Sequence, residues 1–400
     1  MKKSFLLGTL MVSMLAACSQ DEVISFNQDE ISYGAVTGKQ TRAADNYCNN
    51  ALPAAFNVWA KHTSEDKTTQ KDFILGDVIS NNDGVWTNSV TRYWPNSGTL
   101  DFYAHVNAGN CFNWNNGAPT INDFTIGTDA SQQKDLLYAV KKKQSRQDGK
   151  VTLNFRHALS QVVFKAKNTN EKLHVEIEGI TVGNINSKGT YTYPTEATDN
   201  NYVDHTGTGV GVYPTNGQGI WTSSDAINYS VIFTPVKLDG DGNVYSLTNP
   251  DDESDKGDKL KNTLMLLPQM QTAWDPYTPA TSFIGSFFFV KCKIYNVAGD
   301  QFDQANDVLL WGDATTGAAK EIAIPVTINW EQGKKYIYTF VFSNGNGGYI
   351  PDPNDPQPAL AHISFDVTVD DFFPVENDAD MDVTPKTNSV NTSDYNGSTW

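Results

Sequence analysis

Cysteine is scarce in this chain, and its spacing excludes a zinc site of the usual kind. Of the four cysteines, Cys18 belongs to an N-terminal leader, which leaves the odd number formed by Cys48, Cys111 and Cys292. No CxxC pair and no Cys/His cluster with zinc-ligand spacing is present. Cys292 lies in the strand-like segment FVKCKIY and is expected to be a buried free thiol. A bridge between Cys48 and Cys111 is open on sequence grounds.

Positive charge is also in short supply. The chain has 29 Lys and Arg against 46 Asp and Glu, a net charge of −17 and a pI near 4.7. This balance argues against nucleic acid or an anionic membrane surface as a partner. Charged residues make up only 19% of the 400 residues, whereas aromatic residues reach 12%, a composition common in secreted β-proteins.

Motifs for catalysis and metal binding are missing. No GxSxG, HExxH or Cys/His arrangement occurs, and the adjacent carboxylates in VDDFF would point to opposite faces of a strand. LDGDGNVY begins like a calcium loop with Asp239, Asp241 and Asn243, but Val244 stands where that loop needs glycine. A hairpin turn explains this segment better. We therefore predict a non-enzymatic protein with no cofactor and no metal site.

The N-terminal leader has the form of an export signal. Lys2 and Lys3 precede an apolar run, Phe5 to Leu15, that is shorter than the roughly 20 residues needed to span a bilayer. The following LAAC resembles the lipobox of bacterial lipoproteins, in which a peptidase cuts before the cysteine and the cysteine carries the lipid. Residues 1–17 are thus a predicted signal peptide and Cys18 the predicted lipid attachment site. The alternative is an ordinary signal peptide that contains a cysteine.

The predicted lipid and the residues that follow it bear on where the protein would be located. Several acyl chains on one cysteine anchor a protein stably to a membrane. The acidic pair in SQDE, directly after Cys18, resembles the surface-export signal of Bacteroidota lipoproteins.

Most of the remaining chain alternates apolar and polar residues as β-strands do. The clearest stretches are AFNVWAKH, TLDFYAHV, EIAIPVTINW, KYIYTFVF and HISFDVTVDDFF. In VTLNFRHALSQVVFKAKN the apolar residues move from odd to even positions, so a bulge or break is expected between Arg156 and Gln161. A second shift is expected at Gly179. His157, beside the first shift, is expected to form a structural hydrogen bond.

Few segments depart from the strand pattern. Residues 129–144, DASQQKDLLYAVKKKQ, are the only candidate for a short helix. Residues 343–360, SNGNGGYIPDPNDPQPAL, form a predicted Gly/Asn/Pro loop without a strand of its own. The chain is therefore predicted to be all-β and built of sandwiches.

Several stretches in a fixed order resemble the fimbrillin family of Bacteroidota, the subunits of type V pili and related surface lipoproteins. They are the LAAC leader, VTRYWPNSGTLDFYAHV, NFRHALSQVVFKA, TLMLLPQ, INWEQGKKYIYTF and ISFDVTVDDF, and they extend to about Phe373. The resemblance implies two transthyretin-like β-sandwich domains in tandem. We place them at 46–150 and 151–375, after an N-terminal propeptide or linker at 18–42 and before a polar tail at 376–400.

The resemblance also implies a route of maturation. The protein would be exported to the outer membrane as a surface-exposed lipoprotein, cut there by an arginine-specific or trypsin-like protease, and built into an extracellular fimbria. Arg42, followed by Ala43, matches the cleavage position of the family. The alternative reading of QTRAAD is a linker that happens to contain an arginine.

Cleavage would have a direct consequence if residues 19–42 supply a strand to the first sandwich. Loss of that strand would leave an unpaired edge and an open apolar groove. A strand from another fimbrial subunit, of the same or a related kind, could fill the groove. The candidate donor is HISFDVTVDDFF, with Ile363, Phe365, Val367 and Val369 on its apolar face.

Two functions from different classes follow. The first is a structural fimbrial subunit that polymerises by strand exchange and supports adhesion. The alternative is a non-polymerising surface lipoprotein (a tip, an anchor or an adhesin) that binds a host glycan or host protein. It would bind through exposed aromatic residues, with Trp114, Tyr191, Tyr193 and Trp221 as candidates.

Overall fold

The alternating segments form an almost purely β structure. The computed structural model describes residues 26–37, 53–198, 217–248 and 263–371. Their strands are β1 Phe26–Glu30, β2 Tyr33–Thr37, β3 Ala55–Thr63, β4 Gln70–Asn82, β5 Val85–Asn88, β6 Tyr93–Pro95, β7 Thr99–Val106, β8 Phe112–Asn113, β9 Thr120–Thr125, β10 Leu137–Gln144, β11 Val151–His157, β12 Ser160–Asn168, β13 Leu173–Thr192, β14 Ile220–Leu238, β15 Val244–Ser246, β16 Leu264–Leu266, β17 Gln269–Gln271, β18 Phe287–Asn296, β19 Val308–Trp311, β20 Lys320–Pro325, β21 Ile328–Trp330, β22 Lys334–Tyr349 and β23 Pro358–Asp371. Helical structure in these ranges is limited to 3-10 turns at Gly109–Cys111, Asn115–Gly117, Ala130–Gln132 and Arg146–Asp148.

Two large sheets contain most of the strands. Sheet I has seven strands in the order β2-β11-β10-β7-β3-β4-β5. Sheet II has twelve: a path β15-β12-β22-β20-β18-β13-β9-β8, to which β14, β16, β19 and β23 are paired. Two small sheets pair β1 with β6 and β17 with β21. The predicted all-β, sandwich-like fold is confirmed.

Strands β7 and β10 of sheet I are largely buried on both faces because their alternate residues enter two different cores. Core I lies around Phe56 and Phe102, and core II lies around Phe164 and Phe288 of sheet II. In β7, Phe102 packs in core I while its neighbour Tyr103 packs in core II. The predicted alternation is therefore present in β7, but neither face of this strand is open to solvent.

The chain passes from sheet I to sheet II at the first predicted phase shift. β11 ends at His157 in sheet I, and β12 begins at Ser160 in sheet II. The two residues between them allow the apolar side chains to change parity. The chain thus changes sheet after His157 rather than at residue 151, and β8 and β9, from the earlier part of the chain, pair in sheet II. The division into domains at 46–150 and 151–375 stays a proposal.

The second predicted shift is also present, as a bulge between Ile177 and Gly179 in the pairing of β13 with both β14 and β18. On the neighbouring strand β18, Cys292 is a free thiol with no exposed surface, as predicted, and burial raises its pKa. Cys111 is a free, half-buried thiol, and Cys48 lies outside the described residues.

The predicted short helix at residues 129–144 is wrong. Only Ala130–Gln132 form a 3-10 turn, and Leu137–Gln144 form strand β10. The continuous apolar run LLYAV arises because Leu137 faces core I and Tyr138 faces core II. A strand covered on both faces loses its polar alternation and cannot be told from a helix by periodicity.

The predicted loop at residues 343–360 is also wrong at both of its ends. β22 continues to Tyr349, and β23 begins at Pro358, so the two strands form one long hairpin. Glycine makes this extension sterically feasible, since a Cβ on Gly347 would lie 2.1 Å from the carbonyl oxygen of Ile363. The glycines that suggested a loop instead permit close approach of the partner strand.

The turn at LDGDGNVY is present, but it does not form the predicted hairpin. Asp241 accepts a hydrogen bond from the Asn243 amide at 2.9 Å, and Gly240 and Gly242 both have positive φ. The strands on either side diverge, since β14 pairs with β13 and β15 pairs with β12.

A buried histidine on β7 makes stability depend on pH. His105 is sandwiched between Trp59, with ring centroids 5.1 Å apart, and Phe112, at 4.8 Å. Neither ring nitrogen has a hydrogen-bond partner among the described residues. Burial disfavours the charged ring and lowers the pKa of His105 to about 4.

We expect this histidine to destabilise the fold in acid. An unfolded histidine has a pKa of about 6.5, so the unfolded chain binds the extra proton first as the pH falls. The stability is fully present above pH 6.5, and about 2 kcal/mol of it is lost between pH 6.5 and 4.5. Denaturant titrations at both pH values, on the wild type and on His105→Phe, measure the difference. Parallel pH profiles for the two proteins would contradict the prediction.

Candidate strand-exchange site

The N-terminal described segment forms the outer strand of sheet I. β2 runs parallel to β11, with Tyr33 opposite Val151 and Thr37 opposite Phe155. Its other side has no partner strand among the described residues. β1, just before it, pairs with β6 instead. The segment before Arg42 therefore contributes an edge strand, which is a type of element that can be replaced by another strand.

The edge strand is held by its inward side chains. Ile31, Tyr33 and Ala35 are all buried in core I. The ring of Tyr33 packs edge-on against Phe56 and Phe102, with centroids 6.2 and 6.0 Å away. Fully burying one such side chain contributes about 1.5–3 kcal/mol, so Ile31 and Tyr33 supply much of the docking free energy. Without this strand, core I would open along β11.

Backbone hydrogen bonds fix the register of the segment. The Val151 amide donates to the Ser32 carbonyl at 2.9 Å, and the Ile31 amide donates to the Arg92 carbonyl at 2.7 Å. The side-chain amide of Asn88 donates to the Ile31 carbonyl at 2.8 Å. These bonds place Ile31 and Tyr33 over the core.

The hydroxyl of Tyr33 weakens the docking of the edge strand on core I. It is buried and has no hydrogen-bond partner among the described residues. Burial, and next the carboxylate of Asp77, raise the pKa of Tyr33, while Arg92 lowers it. Asp77 is itself occupied by Arg92, which donates two hydrogen bonds at 2.6 and 2.8 Å. An unsatisfied buried hydroxyl costs about 1–3 kcal/mol, so the resident strand is bound less tightly than its shape allows.

The candidate donor residues lie together on one face of β23. Ile363 is buried, and Phe365, Val367 and Val369 are partly buried against core II. The ring of Phe365 packs edge-on against Phe288 at 5.6 Å. The alternation predicted for this strand is thus present, and its apolar face is docked on the chain's own sheet II.

β23 is an edge strand as well. It pairs antiparallel with β22 along nearly its whole length, and no other described strand pairs with it. Ser364 and Asp366 on its opposite face are exposed. The predicted lipid attachment residue Cys18 and the predicted cleavage residues Arg42 and Ala43 lie outside the described residues.

Two of the four candidate binding aromatics are not exposed. Tyr191 and Tyr193 are buried in core II, and the Tyr193 hydroxyl donates to the Ala104 carbonyl at 3.1 Å. Trp114 and Trp221 are half-buried against the same core. Tyr191 and Tyr193 lie on the same side of the chain and enter core II, while Thr192 between them is exposed.

Two buried groups, the Tyr33 side chain and the Asp135 carboxylate, were not predicted as functional or structural sites. Only the alternation of residues in ISYGAV indicated that the side chain of Tyr33 points into the core. The pairing of His157 with Asp135, whose Nδ1 and Oδ2 lie 2.7 Å apart, confirms the structural bond expected for His157, but no motif pointed to Asp135.

The described ranges were compared with the requirements for a membrane-spanning helix and for a cluster of metal ligands, and they meet neither. No helix there is long and apolar enough to cross a membrane. The same ranges hold no group of three or more His, Cys, Asp or Glu that could bind a metal ion.

Comparison with known proteins identifies the family. The model of the family described as fimbrillin-like matches residues 41–354. No curated protein sequence matches the chain. Among solved structures, a fimbrial protein from Bacteroides vulgatus is similar at a TM-score of 0.50 and 13% identity, covering 86% of this chain and 100% of its own. At this identity the likeness concerns the fold.

A second solved structure is more distant. The fimbrial anchor protein Mfa2 from Porphyromonas gingivalis aligns at a TM-score of 0.29 and 10% identity, over 85% of this chain and 97% of its own. The family match alone spans most of the chain and describes structural rather than enzymatic proteins. The chain therefore belongs to the fimbrillin-like family and is a fimbrial-type surface protein, not an enzyme.

Proposed function

We propose that this protein is a structural subunit of a cell-surface fimbria that polymerises by strand exchange. It is exported as a lipoprotein through Cys18 and held at the outer membrane until a surface arginine-specific or trypsin-like protease cuts between Arg42 and Ala43. The cut releases residues 19–42, including β1 and β2, from core I. Another subunit then supplies the missing strand, and the resulting fimbria supports adhesion.

The position of β2 is the observation that carries this proposal. It is an edge strand whose removal breaks only one strand pairing of sheet I, that with β11. Tyr33 of β2 and Ile31, just before it, are buried in core I, so their loss leaves an apolar groove that a new strand can fill. Arg42 follows β2 in the chain. A single cut there therefore separates the edge strand from the rest of the fold.

One observation favours the alternative of a non-polymerising tip, anchor or adhesin. The apolar face of β23 is docked on the chain's own core, with Ile363 buried and Phe365 against Phe288. A chain that keeps β23 docked can accept a strand but cannot donate one. Such a protein would bind other fimbrial subunits or a host glycan or protein without forming filaments of its own.

Limited proteolysis separates the two functions. A soluble chain beginning at Ser19 is treated briefly with trypsin, its fragments are identified by mass, and its assembly is followed by electron microscopy. We expect a clean cut after Arg42 followed by filaments. Trypsin also cuts after lysine, so the variant that carries both Lys39→Gln and Arg42→Gln is expected to stay intact and monomeric, while Lys39→Gln alone behaves as the wild type. A clean cut that leaves only monomers would favour the non-polymerising alternative.

A further inference from the structure

The longest free edge among the described strands belongs to β14. Its 19 residues, Ile220–Leu238, pair antiparallel with β13, and no other described strand pairs with them. Among the described backbone hydrogen bonds outside strand pairs, none involves a main-chain group of β14. One side of this strand therefore presents a row of amide and carbonyl groups that can pair with another strand.

The first two thirds of this edge lack the features that usually prevent edge-to-edge pairing. The stretch Ile220–Ile232 contains no proline and no lysine, and Asp225 is its one charged residue. Asp225 has a positive φ of 59°, but Ser224 and Ala226 on either side of it stay directly opposite residues of β13. The one register shift within this stretch places its extra residue on β13 and not on β14. The edge is thus continuous from Ile220 to Ile232.

The outward side chains of this stretch read almost the same in both directions. Its alternate residues are all exposed, and they are Ile220, Thr222, Ser224, Ala226, Asn228, Ser230 and Ile232. An isoleucine stands at each end, two hydrophilic side chains follow it inward, and alanine stands at the centre. The residues between them, such as Tyr229 and Val231, pack in core II. Two such strands laid antiparallel about Ala226 would match each other side chain by side chain.

We infer that β14 forms the interface of a two-fold symmetric dimer, in which it pairs antiparallel with β14 of a second copy of this chain. Ala226 lies on the axis, opposite Ala226 of the second copy. Ile220 then lies opposite Ile232 of the second copy, and every contact occurs twice because the interface is isologous. The two copies of sheet II become one continuous sheet. The interface involves neither β2 nor β23 and does not depend on strand exchange.

The exposed isoleucines and the aspartate select this register. The side chains of Ile220 and Ile232 are 70% and 79% exposed, and the register centred on Ala226 brings them together at both ends of the pairing. Each Asp225 lies opposite Ile227 of the second copy. An axis one residue earlier would set the two Asp225 carboxylates directly opposite each other, which is unfavourable.

The length of the pairing predicts a weak dimer. Stable interfaces involve about 20–30 residues on each side. The stretch from Ile220 to Ile232 supplies fewer, so we expect a reversible dimer with a dissociation constant in the micromolar range.

Sedimentation of the uncut soluble chain beginning at Ser19 tests the dimer. No protease is added, so the result does not depend on cleavage at Arg42. Ala226→Lys brings two ammonium groups together at the axis and should raise the dissociation constant about tenfold at low salt. Thr234→Lys is the matched control, because Thr234 is exposed on the same strand beyond the paired stretch, and it should dimerise as the wild type does.

Cysteine trapping tests the register. In a chain with Cys48 and Cys111 replaced by serine, Ala226→Cys places the new thiol opposite its own counterpart, at a Cα separation of about 4.5–5.5 Å that a disulfide can bridge. Mild oxidation should then give covalent dimers. Ser224→Cys should give few, because its counterpart is displaced by four residues, or about 13 Å. Adding Asn228→Cys to Ser224→Cys should restore the bridge.

Three results would overturn the inference. The first is a wild-type chain that sediments as a monomer at every concentration. The second is a dimer that Ala226→Lys does not weaken, since that dimer would use another surface. The third is a covalent dimer that forms more readily through Ser224→Cys than through Ala226→Cys.

Discussion

Truncation of Tyr33 to alanine is expected to loosen the edge strand of sheet I without unfolding the rest of the protein. The lost ring contacts with Phe56 and Phe102 outweigh the removal of the unpartnered hydroxyl, for a net loss of about 2–3 kcal/mol. This corresponds to a roughly 30- to 150-fold larger population of the state in which β2 is detached.

Hydrogen exchange of one amide reports this opening. The Val151 amide donates to the Ser32 carbonyl, so its exchange should accelerate by the same factor. The Ala158 amide, which donates to the Leu136 carbonyl at 2.8 Å, should keep its wild-type rate and serves as the internal reference. Ser32→Ala, at an exposed position of the same segment, is the matched control. Equal exchange of Val151 in the wild type and in Tyr33→Ala would show that Tyr33 does not hold the strand.

The conservative variant separates the ring from the hydroxyl. Tyr33→Phe keeps the packing and removes the unsatisfied group, so exchange at Val151 should slow rather than accelerate. Opposite signs for the two substitutions at one position would identify the hydroxyl as the source of the strand's weak binding. Tyr33→Phe is also expected to delay assembly after cleavage, since the resident strand then leaves less readily.

Removal of His157 is expected to destabilise the protein by about 3–5 kcal/mol, because it leaves a buried carboxylate without its partner. Asp135 and His157 are both buried, with Oδ2 and Nδ1 2.7 Å apart, and the other oxygen of Asp135 has no hydrogen-bond partner among the described residues. The pair lies where the chain leaves sheet I for sheet II. The loss should therefore appear in the unfolding of both sheets.

A double-mutant cycle measures the coupling. Denaturant unfolding of His157→Ala, Asp135→Ala and the double variant should show that the double variant loses much less than the sum of the two single losses. His62→Ala is the control. The Nε2 atom of His62 lies 3.0 Å from the carbonyl oxygen of Ser97, which is a neutral partner. This substitution should therefore cost about 1 kcal/mol. Additive losses would mean that the pair makes no specific contribution.

Local patterns predicted strands well where one face of the strand is polar. β22 and β23 followed the alternation of KYIYTFVF and HISFDVTVDDFF, and the shifts near Arg156 and at Gly179 marked a change of sheet and a bulge. Patterns failed where both faces are buried. β10 was predicted as a helix because its apolar residues enter both cores and erase the period of two.

The pairing of strands that lie far apart in the chain could not be predicted from the sequence, for a different reason. β2 pairs with β11, which lies far along the chain, and nothing local to ISYGAV specifies that partner. The same holds for Asp135 and His157, which are brought together only by the pairing of β10 with β11.

Assembly is expected to replace the N-terminal strand, and the masses of the chains in the filaments show whether it does. Filaments grown from the trypsin-treated soluble chain are purified, denatured and analysed by mass. We expect subunits that begin at Ala43, with the fragment ending at Arg42 absent from the filament and recovered in the supernatant. Filaments that retain this fragment in equal amount to the subunit would show that β2 stays in sheet I, and would contradict strand replacement.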